Sequence, residues 1–365
     1  MKKVIFLVTT LNSGGIENYL LRFLNFFDGQ IEPIIICKGN VFGELEEEYQ
    51  KIKHIQLIKM DVGFFNLNSY LKLYSFFKRS KVNSVCDFTG NFAGLILLSA
   101  NFAGINNRIS FYRGSTNHFS ETKGRMIYNH LMLQLVKRYA CKILSNSKSA
   151  LDYFYSDRDK NDERFKVIYN GIDAVKFNSS LAKLKKEDFE IPSNGFVIGH
   201  TGRCNAAKNH DTIIKVAEKI CEKYDNIYFV FCGKDTDVFL LERILNNIIL
   251  KDKVKLLGYR NDVQNILSIF DLYFFPSITE GQPNSLIEAM ISGLPIIASN
   301  IGPIIETTPT ILHDELISPI DVDGFFVRIE EYYLSRQKRE ENNFSSWAKK
   351  QFAPEVLFNQ FYKEL

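Results

Sequence analysis

The stretch LYFFPSITEGQPNSLIEAMISGLPIIAS, residues 272–299, contains a complete strand–loop–helix–strand pattern. Its apolar opening, Leu272–Phe275, is typical of a buried strand. Pro283 suits a first helical turn because its fixed φ is helical and its missing N–H is not needed there. Gly293 ends the predicted helix, and Pro295–Ala298 is a second apolar run of strand length. Two strands that a helix separates form a βαβ unit, whose strands are parallel.

Apolar runs of strand length recur along the whole chain, and most neighbouring runs have room for a helix between them. This alternation predicts an α/β fold with parallel sheets. The first series of predicted strands is Val4–Val8, Pro33–Cys37, Ile55–Met60, Ser84–Phe88, Arg108–Tyr112, Lys142–Ser145 and Lys166–Tyr169. The second series is Phe196–His200, Ile227–Cys232, Val254–Leu257, Leu272–Phe275 and Pro295–Ala298.

The two series predict two doubly wound domains, in agreement with a chain of 365 residues. A polar segment between Asp173 and Phe196 separates them and is interpreted as a linker. We therefore expect an N-terminal domain over residues 1–175 and a C-terminal domain over residues 190–346. The amphipathic segment 347–365 is predicted to be one helix that packs back across both domains and joins the N-terminal one.

The composition is that of an ordered globular protein, with 45% hydrophobic and 24% charged residues. The most apolar stretch, residues 92–105, is shorter than the roughly 20 residues that a membrane-spanning helix needs, and is interpreted as a buried helix. The apolar opening of the chain is too brief for a signal peptide, which favours a cytoplasmic protein. The six cysteines form no Cys-x-x-Cys pair and are predicted to be reduced.

Positive charge is concentrated in the N-terminal half of the chain. Residues 1–170 contain 23 Lys and Arg against 15 Asp and Glu, a net charge of +8, whereas the whole chain carries +3. Residues 81–148 contain nine basic residues and two acids. This bias suits an anionic acceptor or an anionic membrane surface, and ordinary solvated helix faces would also account for it. Nucleic acid is disfavoured because no reading motif accompanies the charge.

Two segments of the second series combine into a predicted phosphate site. The N–H groups of residues 284–286 begin a helix at the carboxyl end of the sheet, where an anion binds favourably. Glu280 and Glu288 bracket this helix start. Arg203 and Lys208 follow the strand Phe196–His200 and can converge on one diphosphate. This layout suits a sugar nucleotide.

These motifs resemble those of the retaining glycosyltransferases of family four, with a GT-B fold of two Rossmann-like domains that face each other across a cleft. Glu280 and Glu288 match the Glu-x7-Glu signature, and Gly202–Lys208 is similar to the Gly-Arg-x4-Lys element. Gly14-Gly15 resembles the glycine loop, 257–263 the nucleobase loop, and 167–173 the segment that closes the first domain.

The resemblance implies roles for individual residues. Glu280 would contact the donor sugar, Glu288 the ribose, and Arg203 with Lys208 the departing diphosphate. The candidate catalytic residues are Arg203, Lys208, Glu280 and His118. The candidate donor-binding residues are Gly14, Gly15, Gly202, Gly233, Tyr259, Arg260, Gly281, Gln282, Pro283, Asn284, Ser285, Leu286 and Glu288.

The implied reaction moves a hexose, with retention, from a nucleoside-diphosphate sugar to a saccharide acceptor. UDP-sugars are favoured, with GDP-mannose as a second option, and a polyprenyl-diphosphate-linked acceptor in capsule or O-antigen synthesis is expected. The protein would then be peripheral on the inner face of the plasma membrane. No cofactor or metal is expected, and three Asp-x-Asp triplets, at 157–159, 235–237 and 321–323, are interpreted as solvated loops.

Two other classes remain open. A sugar-nucleotide epimerase on the same fold would need acid and base groups around the donor, and six histidines leave this open. A non-catalytic sugar-nucleotide-binding protein would not need Arg203, Lys208, Glu280 and Glu288 together. A phosphorylase with pyridoxal phosphate is disfavoured because such chains are far longer.

Overall fold

A computed structural model describes residues 1–63, 66–116, 122–177, 184–335 and 344–365. It divides the chain into two compact units, which are described separately. Unit 1 contains Met1–Gly171 and Pro354–Leu365, and unit 2 contains Ile172–Ala353.

Unit 1 is built on a parallel sheet with the strand order β3-β2-β1-β4-β5-β6-β7. The strands are β1 (Lys2–Val8), β2 (Ile31–Cys37), β3 (Gln56–Lys59), β4 (Ser84–Asp87), β5 (Asn107–Tyr112), β6 (Lys142–Ser145) and β7 (Phe165–Val167). The helices are α1 (Gly15–Phe26), α2 (Glu46–Gln50), α3 (Leu67–Ser80), α4 (Gly94–Phe102), α5 (Lys123–Tyr139) and α6 (Lys148–Phe154), with a 3-10 turn at Gly90–Ala93 before α4.

Unit 2 is built on a second parallel sheet, with the order β10-β9-β8-β11-β12. The strands are β8 (Phe196–Thr201), β9 (Ile227–Cys232), β10 (Val254–Leu256), β11 (Leu272–Phe275) and β12 (Ile296–Ala298). The helices are α7 (His210–Lys223), α8 (Thr236–Phe239), α9 (Leu241–Leu245), α10 (Val263–Leu267), α11 (Asn284–Ile291), α12 (Gly302–Thr307), α13 (Val322–Ser335) and α14 (Ser345–Gln351). Shorter 3-10 turns lie at Ala174–Phe177, Lys186–Phe189, Ala206–Lys208 and Thr310–Glu315.

The predicted α/β class is confirmed: both sheets are parallel and are formed by the predicted strand series. Each sheet is doubly wound, because the strand order reverses beside its first strand. This reversal lies between β1 and β4 in unit 1 and between β8 and β11 in unit 2. Ligands of such open sheets bind outside the carboxyl ends of the strands at the point of reversal. The fold therefore marks one candidate position in each unit.

The C-terminal segment differs from the single helix predicted over 347–365. Helix α14 ends at Gln351 and belongs to unit 2, where Ser345 Oγ donates to Ile291 O over 2.6 Å. Helix α15 (Pro354–Glu364) belongs to unit 1. Pro354 explains the break, because its ring clashes with the preceding turn and it has no N–H to donate.

Helix α15 completes the aromatic core of unit 1. The ring of Phe361 lies 4.7 Å from that of Phe23 and 5.2 Å from that of Phe111, and Phe361 is fully buried. A side chain at Gly171 would place its Cβ 2.7 Å from Pro354 Cα. This close approach holds the start of α15 against the last residue before unit 2, and it explains why a glycine occupies position 171.

The chain enters unit 2 at Ile172, earlier than the predicted linker would place it. Ile172 N donates to Phe352 O over 2.9 Å. Lys186 Nζ forms an ion pair with Asp271 over 2.6 Å and also donates to Gly195 O. Since these contacts are all made within unit 2, the described part of the predicted linker is a packed part of that unit.

Candidate functional site

The predicted cation and carboxylate elements meet at the strand reversal of unit 2. Strands β8 and β11 are parallel neighbours, with Leu272 opposite Ile198 and Tyr273 opposite Gly199. Their carboxyl ends therefore lie side by side. The loop after β8 contains Arg203 and Lys208, and the loop after β11 contains Glu280.

Lys208 and Glu280 form an ion pair across the two loops. Lys208 Nζ lies 2.6 Å from Glu280 Oε1, and the two side chains are 16% and 11% exposed. The ammonium also lies 4.7 Å from the centre of the Phe275 ring. Solvent screens the charges of such a little-exposed pair only weakly, so the electrostatic attraction between the ammonium and the carboxylate is strong. Glu280 therefore fixes the position of the Lys208 charge when no ligand is bound.

Backbone contacts fix the two loops relative to each other. Ile278 N donates to Ala207 O over 2.8 Å, and Asn209 Nδ2 donates to Pro276 O over 2.9 Å. Asn209 adopts a left-handed conformation with φ 58°, which asparagine tolerates better than most residues, and α7 begins directly after it. The two residues that flank Lys208 are thus both joined to the start of the loop after β11.

Two glycines of the predicted donor-binding set are required by close packing. A Cβ at Gly202 would lie 3.0 Å from Lys208 Cε, so a larger residue would push the lysine aside. Gly233 has φ +157°, and a Cβ there would lie 2.0 Å from Gly202 O. The end of β9 consequently packs against the start of the Lys208 loop.

Helix α11 begins at the same edge of the sheet. The sequence predicts Pro283 inside the first turn of this helix. In the structure Pro283 lies just before the first helical residue. Leu286 N donates to Pro283 O over 3.1 Å. Of the three N–H groups predicted to point outward, this one is therefore used within the turn, because the helix begins one residue later than expected. A negative group is still favoured electrostatically at such a helix start.

Glu288 lies in the second turn of α11 and is 8% exposed. It acts through space on Tyr273, whose pKa is raised mainly by burial and in smaller part by this carboxylate. The Tyr273 hydroxyl lies 2.7 Å from Thr201 Oγ1 at the end of β8. The through-space effect indicates that Glu288 lies near Tyr273 of β11, whose hydroxyl contacts the last residue of β8.

Two buried histidines, which the sequence reasoning missed, lie behind Lys208. The His200 and His210 ring centres are 5.1 Å apart. Burial lowers the pKa of His200 well below its usual value, and it lowers the pKa of His210 to about 4, with a further contribution from the Lys208 charge. Both rings are therefore neutral at pH 7 and add no charge beneath the ion pair. The signal was available, since His200 lies inside an apolar strand.

Some of the remaining predicted residues lie apart from the Lys208–Glu280 pair in the sequence, and others adjoin it. Tyr259 is 53% exposed, and Arg260 pairs through Nε and Nη2 with Asp262, each contact being 2.8 Å. Gly14 and Gly15 lie in unit 1 at the start of α1, and a Cβ at Gly15 would contact no protein atom within 4 Å. His118 lies outside the described residues. Gly281, Gln282, Asn284 and Ser285 lie in or next to the loop that leads into α11.

Most aspartates of the three Asp-x-Asp triplets are exposed, as predicted, but Asp237 and Asp323 lie in helices rather than in loops. Asp235 and Asp321 directly precede helices; Asp235 forms no side-chain cap hydrogen bond, whereas Asp321 Oδ1 accepts from Gly324 N over 2.8 Å. Acidic side chains are common at this position because they satisfy the N–H groups of the first turn. Within the described ranges, no cluster of three or more His, Cys, Asp or Glu residues is arranged to hold a metal ion.

Other predicted properties can be compared directly with the structure. The six cysteines are free, and Cys37, Cys86, Cys221 and Cys232 are buried. The apolar stretch 92–105 contains helix α4, as expected. None of the helices in the described part of the chain is both long and apolar enough to span a bilayer.

Comparison with known proteins identifies a matching family and several similar sequences. Residues 182–351 match the family Glycosyl transferases group 1. The UDP-Gal:alpha-D-GlcNAc-diphosphoundecaprenol alpha-1,3-galactosyltransferase of Escherichia coli is 27% identical over 290 residues, which cover 75% of this chain and 72% of that protein. The capsular polysaccharide biosynthesis glycosyltransferase CapH of Staphylococcus aureus is 27% identical over 307 residues, 82% of each chain.

The fold is also that of solved structures. Anabaena Alr3699/HepE, crystallised with UDP and glucose, superposes with a TM-score of 0.80 at 19% identity, covering 100% of this chain and 99% of that one. A sucrose-phosphate synthase from Thermosynechococcus elongatus gives a TM-score of 0.78 at 14% identity and covers 100% of this chain. The two parallel-sheet α/β domains match the GT-B fold of these structures, and residues 182–351 form a domain that matches the Glycosyl transferases group 1 family.

Proposed function

We propose that this protein is a retaining glycosyltransferase that moves a hexose from a nucleoside-diphosphate sugar to a saccharide acceptor. The observation that carries the proposal is the Lys208–Glu280 ion pair at the β8–β11 strand reversal, beside the start of α11. A cation, a helix start and a carboxylate at one edge suit a diphosphate with a sugar attached. UDP-sugars are the favoured donors, with GDP-mannose as the alternative.

In the proposed mechanism, Lys208 and Arg203 stabilise the charge that develops on the departing diphosphate. Fixed cations and helix N–H groups do this without reorganising during the reaction. The ion pair with Glu280 holds Lys208 in place beforehand. When the donor binds, the diphosphate becomes a further partner of the ammonium, and Glu280 accepts hydrogen bonds from sugar hydroxyls. Glu288, beside the same edge, holds the ribose.

The two side-chain cations supply the positive charge that a metal ion supplies in many other transferases. We therefore propose that transfer proceeds without a metal. We also propose, from the family resemblance, that transfer takes place on the front face of the sugar, where the acceptor attacks from the side of the leaving group. Gly14 and Gly15 would let a ligand approach the backbone at the start of α1, because a Cβ at Gly15 meets no protein atom.

The acceptor is proposed to be a saccharide linked to a polyprenyl diphosphate, in the synthesis of capsule or another surface polysaccharide. The relatives named above support this, since one acts on a diphosphoundecaprenol-linked sugar and another serves capsule synthesis. Helix α5 exposes Ile127 and Leu131, 64% and 55% exposed, and contains four basic residues. Exposed apolar and basic groups together suit the surface of an anionic membrane, at the cytoplasmic face.

The membrane part is tested by sedimentation with anionic and neutral vesicles. Binding to anionic vesicles at low salt that is lost at high salt is expected, because the attraction is screened. Equal recovery with both vesicle types at every salt concentration would refute the membrane proposal.

The transferase activity is tested by incubating the protein with a panel of UDP-sugars and GDP-mannose, with and without a short-chain polyprenyl-diphosphate saccharide. A product that appears only with acceptor, and that keeps the configuration of the donor sugar, is expected. Conversion of donor alone into a second sugar nucleotide would identify an epimerase. Donor binding with no turnover on any acceptor would identify a binding protein, and either result would overturn the proposal. EDTA is expected to leave the rate unchanged.

A Lys208→Met variant should lose most of this turnover, whereas Lys215→Met should not. Lys215 lies on α7 of the same unit and is exposed, so it controls for the loss of one positive charge.

A further inference from the structure

A cavity lies at the strand reversal of unit 1. Strands β1 and β4 are neighbours at this reversal, and a cavity of about 190 Å³ lies beyond the carboxyl ends of β4 and β5. Ile16, Thr89, Gly90, Asn91 and Arg113 are among its lining residues. Open parallel sheets bind ligands at this position. The cavity is therefore where the fold alone would place a ligand of unit 1.

Arg113 is the cation of this cavity. Its guanidinium carbon lies 3.8 Å from the centre of the Tyr19 ring and 5.0 Å from that of Phe111. The Nε and Nη1 atoms are buried and have no hydrogen-bond partner among the described residues. Burial lowers the pKa of Arg113 to about 10, so the side chain remains charged at pH 7. Buried guanidinium groups normally have their N–H groups bonded, so this one needs an explanation.

Nearby polar groups are engaged elsewhere. Asp87 is fully buried and pairs with Lys38, the Nζ–Oδ2 distance being 2.9 Å, while its Oδ1 accepts from the N–H and hydroxyl of Thr89. Asn91 accepts from the Tyr112 hydroxyl over 2.5 Å. These contacts hold the walls of the cavity in place, and they leave Arg113 with no bonded carboxylate in the part of the chain that the structure describes.

The carboxylate that acts on Arg113 through space is Glu17 of α1, and its effect is smaller than that of burial. The aromatic platform of Tyr19 and Phe111 stabilises the cation in part, since a guanidinium stacks favourably on a ring. It does not satisfy the Nε and Nη1 hydrogens. An anion bound in the cavity would accept hydrogen bonds from these N–H groups.

We propose that this cavity is an anion subsite of unit 1, that its ligand is a phosphate group, and that Arg113 binds it. The planar guanidinium presents a fork of donors that matches phosphate oxygens. The cavity is smaller than the roughly 300–1,000 Å³ of pockets that enclose a drug-sized molecule, so it fits one charged group of a larger ligand. The proposal rests on the proposed function in one respect: the phosphate would belong to a diphosphate-linked acceptor, because unit 2 takes the donor.

The test uses isothermal titration calorimetry on the full chain, first with UDP and then with farnesyl diphosphate added to UDP-saturated protein. Saturation with UDP keeps the second ligand away from the unit 2 site. We expect Arg113→Met to weaken farnesyl diphosphate binding at least about tenfold, which is the loss of one charge-assisted contact, and to leave UDP binding unchanged. Arg79→Met, which removes an exposed arginine of α3 in the same unit, should change neither.

The results separate the sources of the phosphate. If Arg113→Met loses affinity for farnesyl diphosphate alone, the phosphate group in the subsite belongs to the acceptor. If Arg113→Met loses affinity for UDP, the subsite is supported and the phosphate group belongs to the nucleotide. Unchanged binding of both ligands in Arg113→Met overturns the subsite. A wild type that binds farnesyl diphosphate but not UDP contradicts the proposed donor and not the subsite.

Thermal unfolding without ligand separates a binding role from a structural one. A cation whose hydrogens lack partners contributes little to the fold, so Arg113→Met should unfold no lower than the wild type. A purely structural role would lower the unfolding temperature and leave both affinities unchanged, which overturns the proposal. If Arg113→Met does not fold, Arg113→Lys replaces it: this variant keeps the charge and loses the fork, so weaker farnesyl diphosphate binding is expected, and equal binding would overturn the proposal.

Discussion

Replacement of Glu280 by glutamine distinguishes two roles for this carboxylate. In the structure Glu280 Oε1 lies 2.6 Å from Lys208 Nζ, where the direct attraction is about 6 kcal/mol at an effective dielectric constant near 20, before desolvation offsets most of it. Glu280→Gln removes a negative charge from beside the proposed diphosphate. UDP should therefore bind the variant as well as the wild type, or more tightly.

A sugar nucleotide should respond in the opposite direction. A hydrogen bond from a sugar hydroxyl to a carboxylate exceeds one to a neutral amide by about 1 kcal/mol, which is about fivefold in affinity. Titration calorimetry with UDP and with whichever of UDP-glucose, UDP-galactose or UDP-N-acetylglucosamine the wild type binds gives both constants. The preference for the sugar nucleotide over UDP should fall at least about fivefold in Glu280→Gln.

Glu222→Gln is the matched control, because Glu222 is exposed on α7 of the same unit. It should leave both affinities unchanged. An unchanged ratio of the two affinities in Glu280→Gln would refute the reasoning, since Glu280 would then serve as the partner of Lys208 without contacting the sugar.

Three further outcomes are expected. Glu288→Ala should weaken UDP binding at least tenfold, about 1.4 kcal/mol, if this carboxylate holds the ribose, and equal affinity by calorimetry would remove it from the site. Gly199→Ala should lower the free energy of unfolding by about 1–3 kcal/mol, because its Cβ would lie 2.0 Å from the Phe270 ring; an unchanged urea midpoint would contradict this. The pKa of His210 is about 4 in the fold and near 6.5 in the unfolded chain, so the unfolded state gains the proton first and stability falls as pH drops from about 6.5 to 4, by up to about 3 kcal/mol. His210→Phe should reduce the pH slope of the urea-unfolding free energy over that range, with the contribution of His200 remaining, and equal pH slopes in both proteins would argue against a buried neutral imidazole at position 210.

The strands could be predicted from sequence because each is a short apolar run with turn residues on both sides. Strand β9 lies where the pattern predicts it, at Ile227–Cys232. The order of the strands in the sheet is not a local property, and it is this order that places the loops after β8 and β11 together. The motifs indicate that Lys208 and Glu280 serve one ligand, but their direct ion pair follows only from the adjacency of the two strands.

The errors have local causes. The amphipathic pattern runs through Phe352 to Tyr362 without a change, so it does not reveal that two helices of different units share it, although Pro354 marks the break. Arg113 directly follows the predicted strand Arg108–Tyr112, and that pattern does not mark it as a site residue. Its burial against Tyr19 depends on α1, which is distant in the sequence, and no pattern around residue 113 indicates it.

The central claim is that the β8–β11 edge of unit 2 binds the diphosphate of a sugar nucleotide through Lys208. UDP carries the charge that the leaving group has after bond cleavage, so its affinity tests this claim without knowledge of the sugar or the acceptor. Calorimetry with UDP should show at least about a tenfold loss in Lys208→Met, as expected for one charge-assisted contact, and no loss in Lys215→Met. Equal UDP affinity in the wild type and Lys208→Met would contradict the account.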